Sequence, residues 1–284
     1  MTLVAGLVAM SVPVALPYVF REVETTPVPS NRRTVLRRDP VEHALVTGTP
    51  YAGPWTKAAA NAEGWFEGRA FSGGYARATI DWPRAETVLL DAVGHSLVYV
   101  NGEPRAGDVY GYGYVSLPVS LKAGKNEFLF VGGRGRLRAQ LSAVPASTSL
   151  DLRDPPLPDF RGGEKGDLWG AVIVRNATPA PMSNLRIRCA GRTTSLPSVP
   201  ALSVRKVPFR IPRPATGSAE PELPIELRLG QRVLDRQSIK VRVREPNQTF
   251  KRTFISEIDG SLQYYAVNPS SNPGSGQALF LSLH

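Results

Sequence analysis

Few residues in this 284-residue chain have the types and spacing that chemistry requires. A hydrolase serine sits in a G-x-S-x-G elbow between a strand and a helix. Gly94-His95-Ser96-Leu97-Val98 misses that pattern at its last position, and Gly274-Ser275-Gly276 lies in a polar loop. Without the serine a triad's acid and histidine have nothing to activate, so no hydrolase activity is expected of the isolated chain. The single cysteine, Cys189, excludes an internal disulfide and any cysteine-based metal cluster. It ends the alternating run Leu185–Cys189, where a buried small hydrophobe is the expected role. His43, His95 and His284 are scattered, so neither a metal site nor a cofactor is expected. Gly111-Tyr112-Gly113 lacks the third glycine of a dinucleotide fingerprint, and Gly133-Arg134-Gly135 opens no helix. The carboxylates form no pair to which glycosidase roles can be given.

Aromatic side chains are the remaining candidates. Tyr110, Tyr112 and Tyr114 recur at i, i+2, i+4, with Trp65 and Trp82 earlier in the chain. On a strand that spacing puts three rings on one face, to pack on a core or neighbouring domain or to stack on sugars. The intervening Gly111 and Gly113 allow a loop instead. The candidate carbohydrate-binding residues are therefore Trp65, Tyr110, Tyr112 and Tyr114.

The elements that would position them are strands. Apolar residues make up 42% of the chain, enough for packed cores, while 26 Gly and 26 Pro suit many short strands joined by turns. Outside the N-terminus no helical period persists for three turns. Thr87–Ala92, Ser96–Val100, Val115–Leu121 and Glu127–Val131 are short apolar runs, and Asn101-Gly102 is a strong hairpin signal. A second series follows the proline-rich linker Asp151–Phe160: Leu168–Arg175, Leu185–Cys189, Val204–Ile211, Ile225–Leu229 and Ser238–Val243. The formal charge of +10 comes mainly from residues 151–250, where Arg and Lys alternate with apolar residues as on the solvent face of strands. A nucleic-acid groove interleaves basic residues with stacking aromatics, which this stretch lacks, so no nucleic-acid partner is expected.

Residues 1–20 are uncharged and mostly apolar but contain Pro13 and Pro17. They fit a signal peptide lacking its basic start, an N-terminal membrane anchor or a buried strand pair, and the first two imply export to the periplasm, cell envelope or medium. Residues 21–50 have linker composition. An arginine-rich composition with one cysteine suggests a bacterial source.

Leu97-Val98-Tyr99-Val100-Asn101-Gly102-Glu103, followed by Leu117–Phe128 with its Leu121-Lys122-Ala123-Gly124-Lys125-Asn126, resembles the galactose-binding-like jelly-roll domains attached to glycosidases and esterases. Residues 147–247 are similar in architecture to bacterial immunoglobulin-like spacers. Phe250–Ile258, the turn Asp259-Gly260-Ser261, Leu262–Val267, the loop Ser270–Gln277 and the apolar run Ala278–His284 resemble the opening strands of an α/β-hydrolase of the prolyl oligopeptidase or esterase type. That resemblance implies that Ala278–His284 is a strand buried on both faces, and that His284 begins an H-G motif whose loop shapes the oxyanion hole.

The expected fold is all-β: two β-sandwich domains, a jelly roll and then an Ig-like domain, followed by the first strands of an α/β-hydrolase. The expected boundaries are 1–20 signal-like or anchor segment, 21–50 linker, 51–146 jelly roll, 147–247 Ig-like sandwich and 248–284 truncated hydrolase. The expected function is a non-catalytic accessory region of an exported serine hydrolase, esterase or peptidase. Its expected partners are a glycan or cell-envelope polymer and the C-terminal hydrolase domain of the same polypeptide. The alternative is a structural cell-envelope β-sandwich protein with no attached enzyme.

Overall fold

Asn101 and Gly102 take φ of 52° and 85°, the two positive values a tight hairpin turn needs. They join β7 (His95–Val100) to β8 (Glu103–Ala106), with Val100 opposite Glu103. Further on, β9 (Ser116–Leu121) turns into β10 (Gly124–Gly132). The side chain of Asn126 is fully buried in that turn, where its Nδ2 donates to the carbonyls of Lys122 and Gly124. Asn101 Nδ2 donates to Asn126 Oδ1 at 2.9 Å, and Asn101 Oδ1 accepts from Glu127 N. One asparagine from each turn thus ties the β7–β8 hairpin to the turn that carries the chain from β9 in one sheet to β10 in the other.

The computed structural model describes residues 14–28, 39–215, 218–270, 274 and 280–282. It divides the chain into two units, one built mainly from residues up to Ser147 and one mainly from residues beyond it. The first unit also contains β1 (Tyr18–Val19), β2 (Glu22–Thr26), helix α1 (Pro40–Thr47), β3 (Thr56–Ala59), β4 (Phe66–Glu67), β5 (Tyr75–Trp82), β6 (Glu86–Val93) and β11 (Arg136–Ser142). Its strands form two antiparallel sheets, β3-β2-β5-β10-β7-β8 and β1-β11-β6-β9, with β4 also on β11. Alternation decides what is buried. In β5, Ala76, Ala78, Ile80 and Trp82 point inward while Arg77, Thr79 and Asp81 point outward. The rings of Phe20, Phe66, Phe128 and Phe130 fill the space between sheets, each contributing about 2–3 kcal/mol by leaving water.

Two expected segments differ from what is observed. Residues 21–50 are not simply a linker: β2 pairs with both β3 and β5, and Asp39 caps α1 by accepting from the Val41 and Glu42 amides. Nor does the end of the 1–20 segment leave the domain. Val14, Leu16 and Tyr18 pack against the core, β1 pairs with β11, and Phe20 is buried. β1 and the following β2 do not pair with each other: β1 joins one sheet through β11, and β2 joins the other through β3 and β5. Residues 1–13 lie outside the described residues. No helix among the described residues is long and apolar enough to cross a membrane.

The second unit holds β12 (Thr148–Asp151), β13 (Asp159–Arg161), β14 (Leu168–Asn176), β15 (Leu185–Cys189), β16 (Arg192–Ser195), β17 (Ser203–Ile211), β18 (Glu222–Leu229), β19 (Arg232–Lys240), β20 (Arg242–Arg244), β21 (Phe250–Ile255) and β22 (Leu262–Val267). A three-stranded sheet, β12-β14-β17, and a four-stranded sheet, β16-β15-β18-β19, contribute to one core. Leu185, Ile187 and Cys189 point into it, whereas Arg186 and Arg188 are exposed, which puts the alternating charges on the solvent face. Burial pushes the Cys189 thiol up to about 12, so it stays protonated. The proline-rich stretch 151–160 ends in a strand rather than a linker. Phe160 on β13 is a fully buried core residue, and Asp159 holds Arg242 of the parallel neighbour β20 through two hydrogen bonds of 2.7 and 3.1 Å.

Among its described residues the C-terminal segment gives one hairpin. β21 and β22 pair antiparallel around the Asp259-Gly260-Ser261 turn, and Thr253 Oγ1 donates to the Trp169 carbonyl. The expected interior strand at Ala278–His284 is not observed. Phe280, Leu281 and Ser282 are in no strand, and the Phe280 and Leu281 side chains are exposed because nothing among the described residues covers them. Ala278, Leu279, Leu283 and His284, including the oxyanion-loop candidate, lie outside the described residues.

Candidate functional site

Between β8, at the edge of the six-stranded sheet, and β9, at the edge of the other, the chain crosses in a loop of residues 107–115. Tyr110, Tyr112 and Tyr114 stand on this loop at 67%, 68% and 40% exposure, so the core-packing reading of the three rings does not hold. Gly111 and Gly113 have φ of 71° and 74°. These left-handed residues alternate with the tyrosines and bring the rings to one side without a strand. Tyr110 and Tyr112 are stacked, with centroids 6.0 Å apart and planes 18° apart, and Tyr112 and Tyr114 follow at 5.6 Å and 32°. Together they make a three-ring ladder in solvent.

A buried carboxylate organises the ladder. Asp108 is 5% exposed and accepts from the Tyr112 amide (3.2 Å) and the Gly113 amide (2.7 Å), while its own carbonyl accepts from Gly111 N. Arg134 adds a strap, donating from Nε to the Val109 carbonyl at 3.1 Å with its guanidinium 5.7 Å from the Tyr110 centroid. A loop fixed this way loses less conformational entropy when a ligand settles on it. Close behind is His95, buried against the edge of Phe130 with no hydrogen-bond partner at either ring nitrogen among the described residues. Loss of solvent drives its pKa down to about 4, a shift that the Asp108 charge partly opposes.

Trp65, the fourth candidate, is not part of the ladder. Asn61 Oδ1 accepts from the Glu63 and Trp65 amides and so holds the preceding turn. The guanidinium groups of Arg136 and Arg138 lie over the Trp65 ring at 4.6 and 4.5 Å. Its π-surface therefore meets cations.

The sequence offered no signal for a cavity of about 350 Å3 on the outer face of the six-stranded sheet. Helix α1 packs there through Val41 onto Tyr75, Leu129 and Val131. Tyr51, Trp55 and Tyr99 supply aromatic lining, and the polar groups come as neutral pairs, Glu24 with Arg77 and Lys125 with Glu127. The Arg77 guanidinium lies 4.1 Å from the Trp55 ring centre and Tyr51 meets that ring edge-on, so the principal aromatic surface is already occupied. The exposed ladder is the better candidate. Among the described residues no group of three or more His, Cys, Asp or Glu is placed to hold a metal ion.

No family model matches the chain, and no curated protein matches it. Solved structures do. A putative β-galactosidase from Bacteroides fragilis is 15% identical over 88% of this chain and 42% of its own, with a TM-score of 0.36. An exo-chitosanase from Amycolatopsis orientalis is 14% identical over 89% and 36%, with a TM-score of 0.33. A β-glucuronidase from Ruminococcus gnavus is 10% identical over 91% and 48%, with a TM-score of 0.35. The chain spans less than half the length of each. Likeness at this level assigns neither a family nor an activity.

Proposed function

We propose that this chain is a non-catalytic accessory region that holds a glycan on the Tyr110-Tyr112-Tyr114 ladder. The observation that carries the reading is the exposure of three rings in a row on a loop already ordered by Asp108. Neighbouring rings cover part of one another's faces, and the ring surface left in solvent accepts the C–H groups of sugars; large exposed apolar groups held in place mark an interaction surface. Immobilising the polypeptide on a polymer raises the local substrate concentration for any enzyme domain attached to it.

The test is retention of the full chain on insoluble cellulose, chitin, xylan and starch. Binding to at least one is expected, with Tyr112→Ala weakening it at least tenfold and Tyr112→Phe, which keeps the ring, nearly neutral. Absence of retention on all four, or equal retention by Tyr112→Ala, would remove the ladder as the site. The reading extends to an attached exported serine hydrolase of the esterase or peptidase type, supported by the resemblance of residues 250–284. A reading frame that continues past His284 with glycine and then a G-x-S-x-G elbow is the expected finding; a stop or an unrelated domain there would refute that extension.

A further inference from the structure

Arg134, Arg136 and Arg138 prolong the ladder as a row of cations. All three are exposed, at i, i+2, i+4 leading into β11. Arg136 and Arg138 lie on β11, where residues two apart face the same way at roughly 6.6 Å, and the left-handed Gly135 (φ 82°) sets Arg134 just before the strand. Aromatic rings hold these guanidinium groups: Tyr110 holds that of Arg134, and Trp65 those of Arg136 and Arg138. Carboxylates do not. Among the described residues none of the three forms an ion pair, although Glu67 sits directly opposite Arg136 across the β4–β11 pairing. A guanidinium lying on a ring commits its flat face and keeps its in-plane N–H edge, the edge that grips a carboxylate or sulfate.

We infer that ladder and arginine row form one surface for an anionic glycan, a polymer whose sugar units carry carboxylate or sulfate groups. Its rings lie on Tyr110, Tyr112 and Tyr114, and its acid groups meet Arg134, Arg136 and Arg138. The inference rests on the reading of the ladder as a glycan platform. A single-stranded nucleic acid also pairs stacked rings with charge, and an oligonucleotide is therefore one arm of the test. Among the described residues no cation lies over Tyr112 or Tyr114, and the Asp108 carboxylate accepts from the Tyr112 and Gly113 amides.

The experiment measures affinity of the full chain for soluble polygalacturonate, dextran sulfate, neutral dextran and oligothymidylate. Tighter binding to polygalacturonate or dextran sulfate than to neutral dextran is expected, and the stronger of the two names the acid group. R134Q/R136Q/R138Q should lower that affinity about tenfold, the sum of three exposed ion pairs of about 0.5 kcal/mol each. The control R186Q/R188Q/K240Q removes the same charge from exposed strand positions of the second unit and should change little. Equal losses in the two triple variants would show a general response to the net charge of +10 and overturn the inference. Equal affinity for neutral and anionic polymers would overturn it while leaving the glycan reading intact. Preference for oligothymidylate would replace the glycan, and failure to bind any glycan would remove both conclusions.

Discussion

Asp108→Ala removes the side chain that orders the tyrosine ladder while leaving every ring in place. Two hydrogen bonds from backbone amides to a buried carboxylate are lost, one short (Gly113 N, 2.7 Å) and one long (Tyr112 N, 3.2 Å). Hydrogen bonds to charged groups contribute about 1.5–3 kcal/mol each, the longer one falling at the low end. Because the loop is exposed, its freed amides can reach water, so the net loss is about 2–4 kcal/mol. Asp108→Asn keeps one acceptor oxygen and should lose about half as much. Urea denaturation followed by near-ultraviolet circular dichroism reads the stability, and retention on the preferred glycan reads the ladder. Retention should fall with Asp108→Ala by nearly as much as with Tyr112→Ala, although no ring has been touched. A stability loss under about 0.5 kcal/mol together with unchanged retention would show that the loop is ordered by something else, and the account of the site would fail.

His95 makes a pH-dependent contribution whose sign follows from its depressed pKa. Burial rejects the charged imidazolium, so the unfolded chain takes up the proton first, near 6.5, and the folded chain only near 4. Stability is fully present above pH 6.5 and declines by about 3 kcal/mol as pH falls towards 4. His95→Leu should abolish that part of the acid slope in denaturation curves between those limits; an unchanged slope would assign it to other groups. Phe20→Ala should cost about 3–5 kcal/mol, measured by chemical denaturation, because Phe20 is a core ring in edge contact with Phe128 and Phe130. A loss below 1 kcal/mol would mean that residues 14–26 are dispensable to the sandwich.

Local signals were the legible ones. Asn101-Gly102, the Asp259-Gly260-Ser261 turn and the alternation Leu185-Arg186-Ile187-Arg188-Cys189 each carry their conformation in four or five residues, and each appears where expected. What stayed hidden depends on distant partners. Glu22–Thr26 reads as polar linker, yet β3 and β5 on either side turn it into an interior strand of a sheet. Asp159 and Phe160 follow three prolines, and only the distant β20 makes them a strand. At the candidate site the three tyrosines were visible by spacing, but their period of two suggested a strand. Gly111 and Gly113 held the contrary information, since left-handed backbone at alternate positions excludes a strand. The role of Asp108 could not be read from one isolated carboxylate, nor could the meeting of Arg136 and Arg138 with a tryptophan some seventy residues earlier.

Because Tyr18, Val19 and Glu22–Thr26 are woven into two different sheets, the stretch from Val14 to Thr26 cannot serve as a release point. Proteolysis anywhere within it would strip an edge strand from one layer and open the other to solvent. A protease that trims this polypeptide in its cell must therefore cut upstream of Val14 or yield a damaged sandwich. Any tether attached on that side would meet the domain at Val14, directly beside a strand that closes one of its sheets.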